Sequence, residues 1–201
     1  MRRAEIRENN RAALITAAIT EIAAHGYQSA RLGDIADRAG LTTGAIYSIF
    51  GSKQALLFAA IHRIVAEYHD TFRPLTEPDL PLADVLRGYA ATVLDAAAEN
   101  RAREYFAFEL EALAATLRDP QLMSDVDEQV PTNLDLVTDL LIDHPIDRID
   151  GPRTTAAHVA RLAPAVHALM TGFAQHAIVA PTEVDREYVT ESLIALVALI
   201  D

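Results

Sequence analysis

The sequence has no cysteine and no tryptophan, and it has only eight glycines among 201 residues. Without cysteine, neither a disulfide framework nor a thiolate metal site is available. No Gly-rich phosphate loop, no GxSxG and no HExxH motif occurs, and no two of the seven histidines stand four residues apart. The sequence therefore predicts no cofactor, no metal site and no enzymatic activity.

Long apolar runs are also missing. The charged start, MRRAEIRENNR, is not followed by an apolar stretch, and no segment reaches the roughly 20 uninterrupted apolar residues of a membrane span. The composition is 51% hydrophobic, with abundant alanine and few glycines, which favours an all-α globular fold. We therefore expect a soluble cytoplasmic protein.

Proline-rich breaks organise the chain. Residues 74–81, PLTEPDLP, hold three prolines and form the clearest boundary in the sequence. Ser52 is a candidate cap for a helix that ends near residue 72, before this boundary. After it, apolar periodicity predicts helices over 82–99, 101–118, 120–143, 153–179 and 183–200, with a loop at 144–152 and with Pro131 kinking or interrupting the third helix.

Two short helices precede the boundary. Ile35 and Ala36, together with Ala39, share one face of a helix that should end at Gly40, a residue able to adopt the left-handed backbone. Thr42 is a candidate N-cap for a second helix that buries Ile46, flanked by Ile49 and Phe50. This arrangement predicts a helix-turn-helix.

The second helix turns small or hydrogen-bonding groups away from that core: Gly44, Ala45, Tyr47 and Ser48. Such a face can enter the major groove, where threonine and serine bond to bases or phosphates and alanine contacts a thymine methyl group. Gly44 costs up to about 1 kcal/mol in a helix interior and little in the first turn. The alternative for the whole segment is a helical hairpin used only for packing.

The formal net charge of −12 opposes DNA binding, which depends on basic residues that neutralise phosphates. The charge is unevenly distributed, however. Residues 1–53 carry seven basic and five acidic side chains, a balance of +2, so the remainder carries −14. A mildly basic end can meet DNA while the acidic remainder repels it, although an acidic surface also simply aids solubility.

Residues 6 to about 68 resemble the N-terminal domain of the tetracycline-repressor (TetR) family. The resemblance rests on a first amphipathic helix that ends in His25-Gly26-Tyr27, followed by Asp34-Ile35-Ala36, Ala39-Gly40-Leu41-Thr42, Gly44, Ile46-Tyr47, Phe50 and Ser52-Lys53. It implies a three-helix DNA-binding head at residues 1–53, a linking helix at 52–72, and a helical ligand-binding and dimerisation domain at 82–201.

The resemblance also implies roles for single residues. Those matching Thr42, Tyr47 and Lys53 hold phosphates, and those matching Thr43, Gly44, Ala45 and Ser48 approach bases. The chain departs from the family at two positions. Ile49 stands where an aromatic residue or histidine is usual, and Ala30 stands where threonine often opens the second helix, so Ser29 or Arg31 would have to supply the cap or phosphate contact.

The last two predicted helices suggest a subunit interface. The segment 183–200 is apolar around too much of its circumference for one buried face, and the helix before it is rich in alanine. In the resembled family these helices pair with their copies into a four-helix dimer interface. The expected interface residues are Gly172, Tyr188, Leu193, Leu196, Val197 and Ile200; the alternative is a last helix buried within a monomer.

A ligand site is expected mainly by analogy with the family. The candidates lie at helical spacings on core-facing stripes: Tyr89, Val93, Phe106, Glu109, Leu113, His167, Met170 and Phe173. Such stripes also serve simply as core, and Glu109 either meets a ligand or extends to the surface. Glu109 and the acidic balance of residues 54–201 favour a largely apolar ligand that is neutral or cationic.

The sequence thus predicts a homodimeric repressor that binds a palindromic DNA operator and releases it when a small molecule binds. The competing hypothesis is a helical ligand-binding or scaffold protein that no longer reads DNA. A gel-shift assay on the chain's own upstream DNA distinguishes the two.

Overall fold

A computed structural model describes residues 2–130 and 132–200. Across these residues the chain forms α-helices and short 3-10 turns with no strand, so the predicted all-α fold is confirmed. The helices are α1 (Arg2–His25), α2 (Leu32–Arg38), α3 (Thr43–Phe50), α4 (Lys53–Phe72), α5 (Leu82–Ala97), α6 (Ala102–Arg118), α7 (Pro120–Gln129), α8 (Asn133–Leu141), α9 (Ala156–Val179) and α10 (Arg186–Ala195).

The helices form two compact units. The first consists of Met1–Ile64 and Arg103–Val130, and the second of Val65–Ala102 and Pro131–Asp201. Helices α6 and α7 therefore pack with α1 to α3 and the first part of α4. These units cut across the boundary expected at residues 74–81, and the functional division into a DNA-binding and a regulatory domain stays a prediction.

In the first unit, α1 packs against α2 and α3. Its core is built from small and medium-sized aliphatic side chains together with Phe108 of α6, all of them buried: Leu14, Ile15, Ala18, Ile19, Ile22, Ile35, Ile46, Leu57 and Phe108. Alanines between the larger residues allow close helix contacts. This core fixes the three helices that carry the DNA-binding candidates.

In the second unit, α9 packs against α5 and α8, and α10 packs against α5. Their buried side chains form one hydrophobic cluster of larger residues, among them Phe72, Leu86, Tyr89, Leu141, Leu162, Val166, Met170 and Leu193. The rings of Phe72 and Tyr89 pack against each other within it at a tilt of 52°, with their centroids 5.0 Å apart. Non-directional apolar packing therefore dominates this unit.

A polar loop closes the second unit. The buried Thr154 hydroxyl accepts from the His144 backbone N–H at 2.9 Å and donates to the Leu141 carbonyl at 2.7 Å. The His144 ring places Nδ1 2.9 Å from the Leu80 carbonyl oxygen. Residues 142–155 are thereby fixed to the proline-rich segment before α5.

Several predicted helix ends are confirmed. The Ser52 hydroxyl accepts from the Ala55 N–H at 3.0 Å at the start of α4, which ends at Phe72. The segment 120–143 forms two helices, α7 and α8, with a Thr132–Asp135 capping box between them. Pro131 itself lies outside the described residues.

The last segment is less helical than expected. Instead of one helix over 183–200, α10 runs only from Arg186 to Ala195 and a 3-10 turn follows over Leu196–Ile200. The helix begins at Arg186 because the Asp185 carboxylate accepts hydrogen bonds from the Glu187 and Tyr188 N–H groups and so caps the first turn. Likewise α9 begins at Ala156, after the cap Thr155, and not at Arg153.

Candidate nucleic-acid interface

The turn between α2 and α3 has the predicted geometry. Gly40 adopts a φ of 68°, which L side chains rarely accept, and the Leu41 N–H donates to the Ala36 carbonyl at 2.9 Å. The Thr42 hydroxyl accepts from the Ala45 N–H at 3.3 Å and caps α3. The two helices are thus joined by a short turn whose end and start signals both come from the sequence.

The inner face of this pair is buried as predicted. Ile35 and Ile46 are fully buried, and Ala36 is 1% exposed. With an alanine at the crossing, α2 and α3 can approach closely. The helix-turn-helix expected from the sequence is therefore present in the fold.

The outer face of α3 is open to solvent. Gly44, Tyr47 and Ser48 are exposed, Thr43 and Ala45 are partly exposed, and the cap residue Thr42 is also exposed. Tyr47 is a large side chain with 56% of its surface accessible to solvent. The structure thus brings the predicted DNA-contacting residues of α3 onto one surface.

Gly44 is the second residue of α3, so it lies in the first turn, where glycine costs little. A Cβ atom at this position would meet only the Thr42 hydroxyl, at 3.7 Å. The fold itself therefore leaves room for a side chain at Gly44.

Lys53, the only lysine in the sequence, begins α4. Its ammonium lies 4.7 Å from the centroid of the Tyr27 ring and donates to the Gln28 carbonyl at 3.3 Å. Partial burial lowers the pKa of Lys53. The cation is thus held by the turn that follows α1, a support that sequence reasoning missed although Tyr27 belongs to the pattern it used.

Arg31 occupies the N-cap position of α2 with an extended backbone, and its side chain makes no capping hydrogen bond. A guanidinium has no acceptor and cannot serve as such a cap. Ala30, in place of the usual threonine, is buried in the core. The exposed Arg31 side chain stays a predicted phosphate contact.

A buried carboxylate holds α2 in place. Glu21 of α1 accepts from the Arg38 Nε at 2.6 Å, and the His25 Nε2 lies 3.6 Å away. Glu21 is one of four buried polar residues among those described. Because Arg38 ends α2, this pair ties the orientation of the helix-turn-helix to α1.

The predicted ligand residues fall into two groups. Tyr89 and Met170 are buried in the cluster of the second unit, and Val93 and Phe173 pack against it. His167 is partly buried, which lowers its pKa. Phe106, Glu109 and Leu113 belong to the first unit.

Glu109 is partly buried, and the loss of solvent around its carboxyl raises its pKa to about 7. Leu113, four residues later on α6, is 53% exposed and does not behave as a core residue. Glu109 is thus the unusual titratable group of α6.

The predicted dimer residues are also divided. Leu193 is fully buried and Ile200 is 8% exposed, so both side chains pack within their own subunit, while Leu196 and Val197 partly cover the same cluster. Gly172 and Tyr188 are exposed, as is Val179 at 71%.

By length and composition alone, α9 is long and apolar enough to cross a membrane. Of its most apolar stretch of 18 residues, 22% is buried within the protein.

Residues 14–60 match the family model described as bacterial regulatory proteins, tetR family. The HTH-type transcriptional regulator CymR of Pseudomonas putida is 29% identical over 127 residues, which are 63% of this chain and 61% of CymR. The chain therefore aligns with less than two thirds of the length of this relative.

Solved structures share the whole fold. The multidrug-binding protein EbrR, complexed with imidazole, aligns with a TM-score of 0.64 and 23% identity over 92% of this chain and 88% of its own. The regulator FadR of Bacillus subtilis, in complex with stearoyl-CoA, aligns with a TM-score of 0.62 and 16% identity over 92% and 96%. At these identities the likeness establishes the fold.

The fold and the open face of α3 define a helix-turn-helix protein of the transcription-regulator class. By the match of residues 14–60 and by its fold, the chain is similar to the TetR family of bacterial regulatory proteins.

Proposed function

We propose that this protein is a ligand-responsive transcriptional repressor in the cytoplasm. It binds a palindromic operator as a homodimer through α3 of each subunit, and a small molecule releases it. The competing hypothesis is a helical scaffold that no longer reads DNA. An intact outer face of α3 that is open to solvent does not support it.

The observation that carries the proposal is the surface of α3. Thr43, Ala45 and Ser48 present groups that suit base edges, while Thr42 and Tyr47 border them with hydroxyls suited to phosphates. Lys53 adds a cation at the start of the next helix, held over the Tyr27 ring. Arg31 completes the proposed set of phosphate contacts.

The proposed dimer uses the outer surfaces of α9 and α10. Gly172, Val179 and Tyr188 are exposed there, and α9 is largely uncovered for so apolar a helix. A second copy would remove this apolar surface from water, and two heads on adjacent half-sites would read a palindrome. Leu193 and Ile200 support this surface from beneath.

The proposed effector site lies among α5 and α9, where Tyr89, Val93, Met170 and Phe173 share one apolar cluster. Only a ligand that prefers the non-binding conformation can release DNA, and a tenfold shift takes about 1.4 kcal/mol of differential affinity. EbrR has also been solved with proflavin and FadR with stearoyl-CoA, which carries several negative charges. The preference for a neutral or cationic effector therefore rests on this chain's own acidic residues alone.

The decisive experiment is selection of bound DNA from a random library, followed by titration of the selected site and of unrelated DNA. We expect a palindromic motif and tight binding to it. Lys53→Ala should weaken binding to both DNAs and reduce the salt slope by about 0.9 for each bound subunit, whereas Tyr47→Phe should weaken both without changing the slope. Recovery of no motif, with equal weak binding to all DNA, would favour the scaffold hypothesis.

A triple substitution of Thr43, Ala45 and Ser48 tests the base-reading role separately. We expect it to change the selected motif, at about 1 to 3 kcal/mol for each good base contact, while the head stays folded. Because Lys53 is the only lysine, amine-directed acylation gives a direct footprint: selected DNA should protect Lys53 relative to the protein without DNA.

A further inference from the structure

The first half of α1 carries a row of arginines. Arg3, Arg7 and Arg11 recur every fourth residue, so they lie within about 80° of one another on one helix face and about 6 Å apart along the axis. All three are exposed, as are the other described residues from Arg3 to Glu8. We call this row the α1 arginine stripe.

The stripe begins beside the recognition helix. The Arg11 guanidinium carbon lies 5.8 Å from the centroid of the Phe50 ring, and Phe50 is the last residue of α3. From this contact α1 runs toward Arg7 and Arg3, and all these residues belong to the first compact unit. The stripe therefore extends the surface that begins at the C-terminal end of α3.

The charges around the stripe leave two of its members free. Glu8 lies 3.8 Å from Arg11 and partly neutralises it. Among the residues that the structure describes, neither Arg3 nor Arg7 has an ion-pair partner. Glu5 projects about 160° away from Arg3 around the helix and does not interrupt the stripe.

Exposed arginines are well solvated without a partner, but two of them in one row form a positive patch in a chain with 29 acidic residues, and such a patch attracts a partner of opposite charge. DNA backbone is such a partner: its phosphates form a dense row of negative charges, and guanidinium groups bind them bidentately. An acidic protein also has suitable charge, but it would have to bind at the same end of the head at which we propose that DNA binds.

We propose that the α1 arginine stripe binds backbone phosphates of operator DNA next to the half-site read by α3. This inference rests on the proposed function and adds a second contact surface to it. It also explains how a chain of net charge −12 concentrates positive charge where DNA lies. Arg3 and Arg7 make the contacts, and Arg11 positions α1 against Phe50.

The test is a salt titration of the full-length protein on its selected operator and on unrelated DNA, with Arg3→Ala/Arg7→Ala, Arg7→Lys, Lys53→Ala and Arg87→Ala. Each lost phosphate contact should reduce the salt slope by about 0.9 and the affinity roughly eightfold at 0.1 M salt. The double variant removes two contacts from each subunit, so we expect the slope to fall by about 1.8 and the affinity by roughly 60-fold per bound subunit on both DNAs. Arg7→Lys keeps the charge and should keep the slope.

Arg87→Ala is the matched control, since Arg87 is an exposed arginine that pairs with Asp84 in the second unit and should leave the slope unchanged. If the double variant keeps the wild-type slope while Lys53→Ala reduces it, the stripe proposal is wrong and the proposed function stands. Loss confined to the operator would equally overturn it, because phosphate contacts are blind to sequence. If the wild-type chain binds no DNA, both proposals fail.

Discussion

Different interactions stabilise each of the two compact units internally. In the first, hydrogen bonds between side chains and distant helices join the head to α6 and α7: Thr20 donates to Glu104 at 2.7 Å and Gln54 donates to Asp125 at 2.7 Å. Within the head, the ion pair between the buried Glu21 and the half-exposed Arg38 links α1 to α2. In the second unit, a cluster of large aliphatic and aromatic side chains does most of this work.

The difference corresponds to what each unit has to do under the proposed function. Hydrogen bonds and ion pairs are directional, so they fix how the helices next to α3 are oriented. Apolar packing is non-directional and can rearrange around a ligand of similar polarity. The comparison therefore predicts that replacing polar side chains destabilises the first unit selectively. It also predicts that introducing a buried charge destabilises the second unit most.

The largest effect is expected for Leu193→Asp in α10. Leu193 is fully buried in the second unit, and a carboxylate there would have neither solvent nor a partner. We expect a loss of at least about 4 kcal/mol of unfolding free energy, enough to prevent folding of this unit, measured by circular dichroism and chemical denaturation.

Tyr188→Asp is its matched control on the same helix, because Tyr188 is 61% exposed and contacts Phe173 only edge-on, with ring centroids 6.1 Å apart. This variant should stay folded and shift sedimentation toward the monomer. A folded dimer in both variants would move the interface away from α10.

Arg38→Ala breaks the ion pair of the first unit. Among the described residues, it leaves the buried Glu21 carboxylate with His25 as its one remaining ion-pair partner. We expect a loss of about 2 kcal/mol, below the range for fully buried pairs because Arg38 is itself half exposed. Adding Glu21→Gln removes the buried charge and should restore part of this stability. If the double variant is no more stable than Arg38→Ala, the destabilisation comes from lost packing and not from the unpaired charge.

The next effect depends on pH and concerns Glu109. Burial raises its pKa from 4.5 to about 7, so the folded state binds a proton that the unfolded state releases between these values. Stability should therefore fall as pH rises from about 4.5 through 7. Glu109→Gln should remove this decline and be more stable than the wild type above pH 7, by about 1 to 2 kcal/mol because the carboxyl keeps some contact with solvent.

Chemical denaturation of the wild type and of Glu109→Gln at pH 8 and at pH 4 provides the control. At pH 4 the wild-type carboxyl is largely protonated in both states, so the stability difference should nearly vanish. An equal difference at both pH values would mean that the substitution acts through packing.

The sequence predicted the elements whose signals are local. Gly40, Thr42 and Ser52 mark helix ends by backbone conformation and capping, and all three do so in the structure. The burial of Ile35 and Ile46 followed from helical periodicity. The helix-turn-helix could therefore be read from about twenty residues.

Features that depend on distant contacts could not be read in this way. Nothing in the α6 sequence indicates that Phe108 is buried in the first unit. Nothing in the sequence near Lys53 indicates that its ammonium lies over the Tyr27 ring. The apolar residues of 183–200 predicted an interface, but periodicity could not distinguish Leu193, which faces its own core, from the exposed Tyr188. Which side of a largely apolar helix faces a partner is decided by tertiary packing.

The smallest predicted effect tests the link between α4 and α7. The Asp125 carboxylate accepts from the Gln54 amide at 2.7 Å and from the Gln121 amide at 2.8 Å, and Gln54 directly follows Lys53 in the chain. Gln54→Leu removes the first of these hydrogen bonds without changing charge, and we expect it to cost about 1 kcal/mol of stability. Gln121→Leu is the control, since it removes the second bond, which lies within α7 and does not reach α4. If the link helps to orient Lys53, Gln54→Leu weakens DNA binding more than Gln121→Leu does, and equal binding by the two variants would show that α7 only stabilises the first unit.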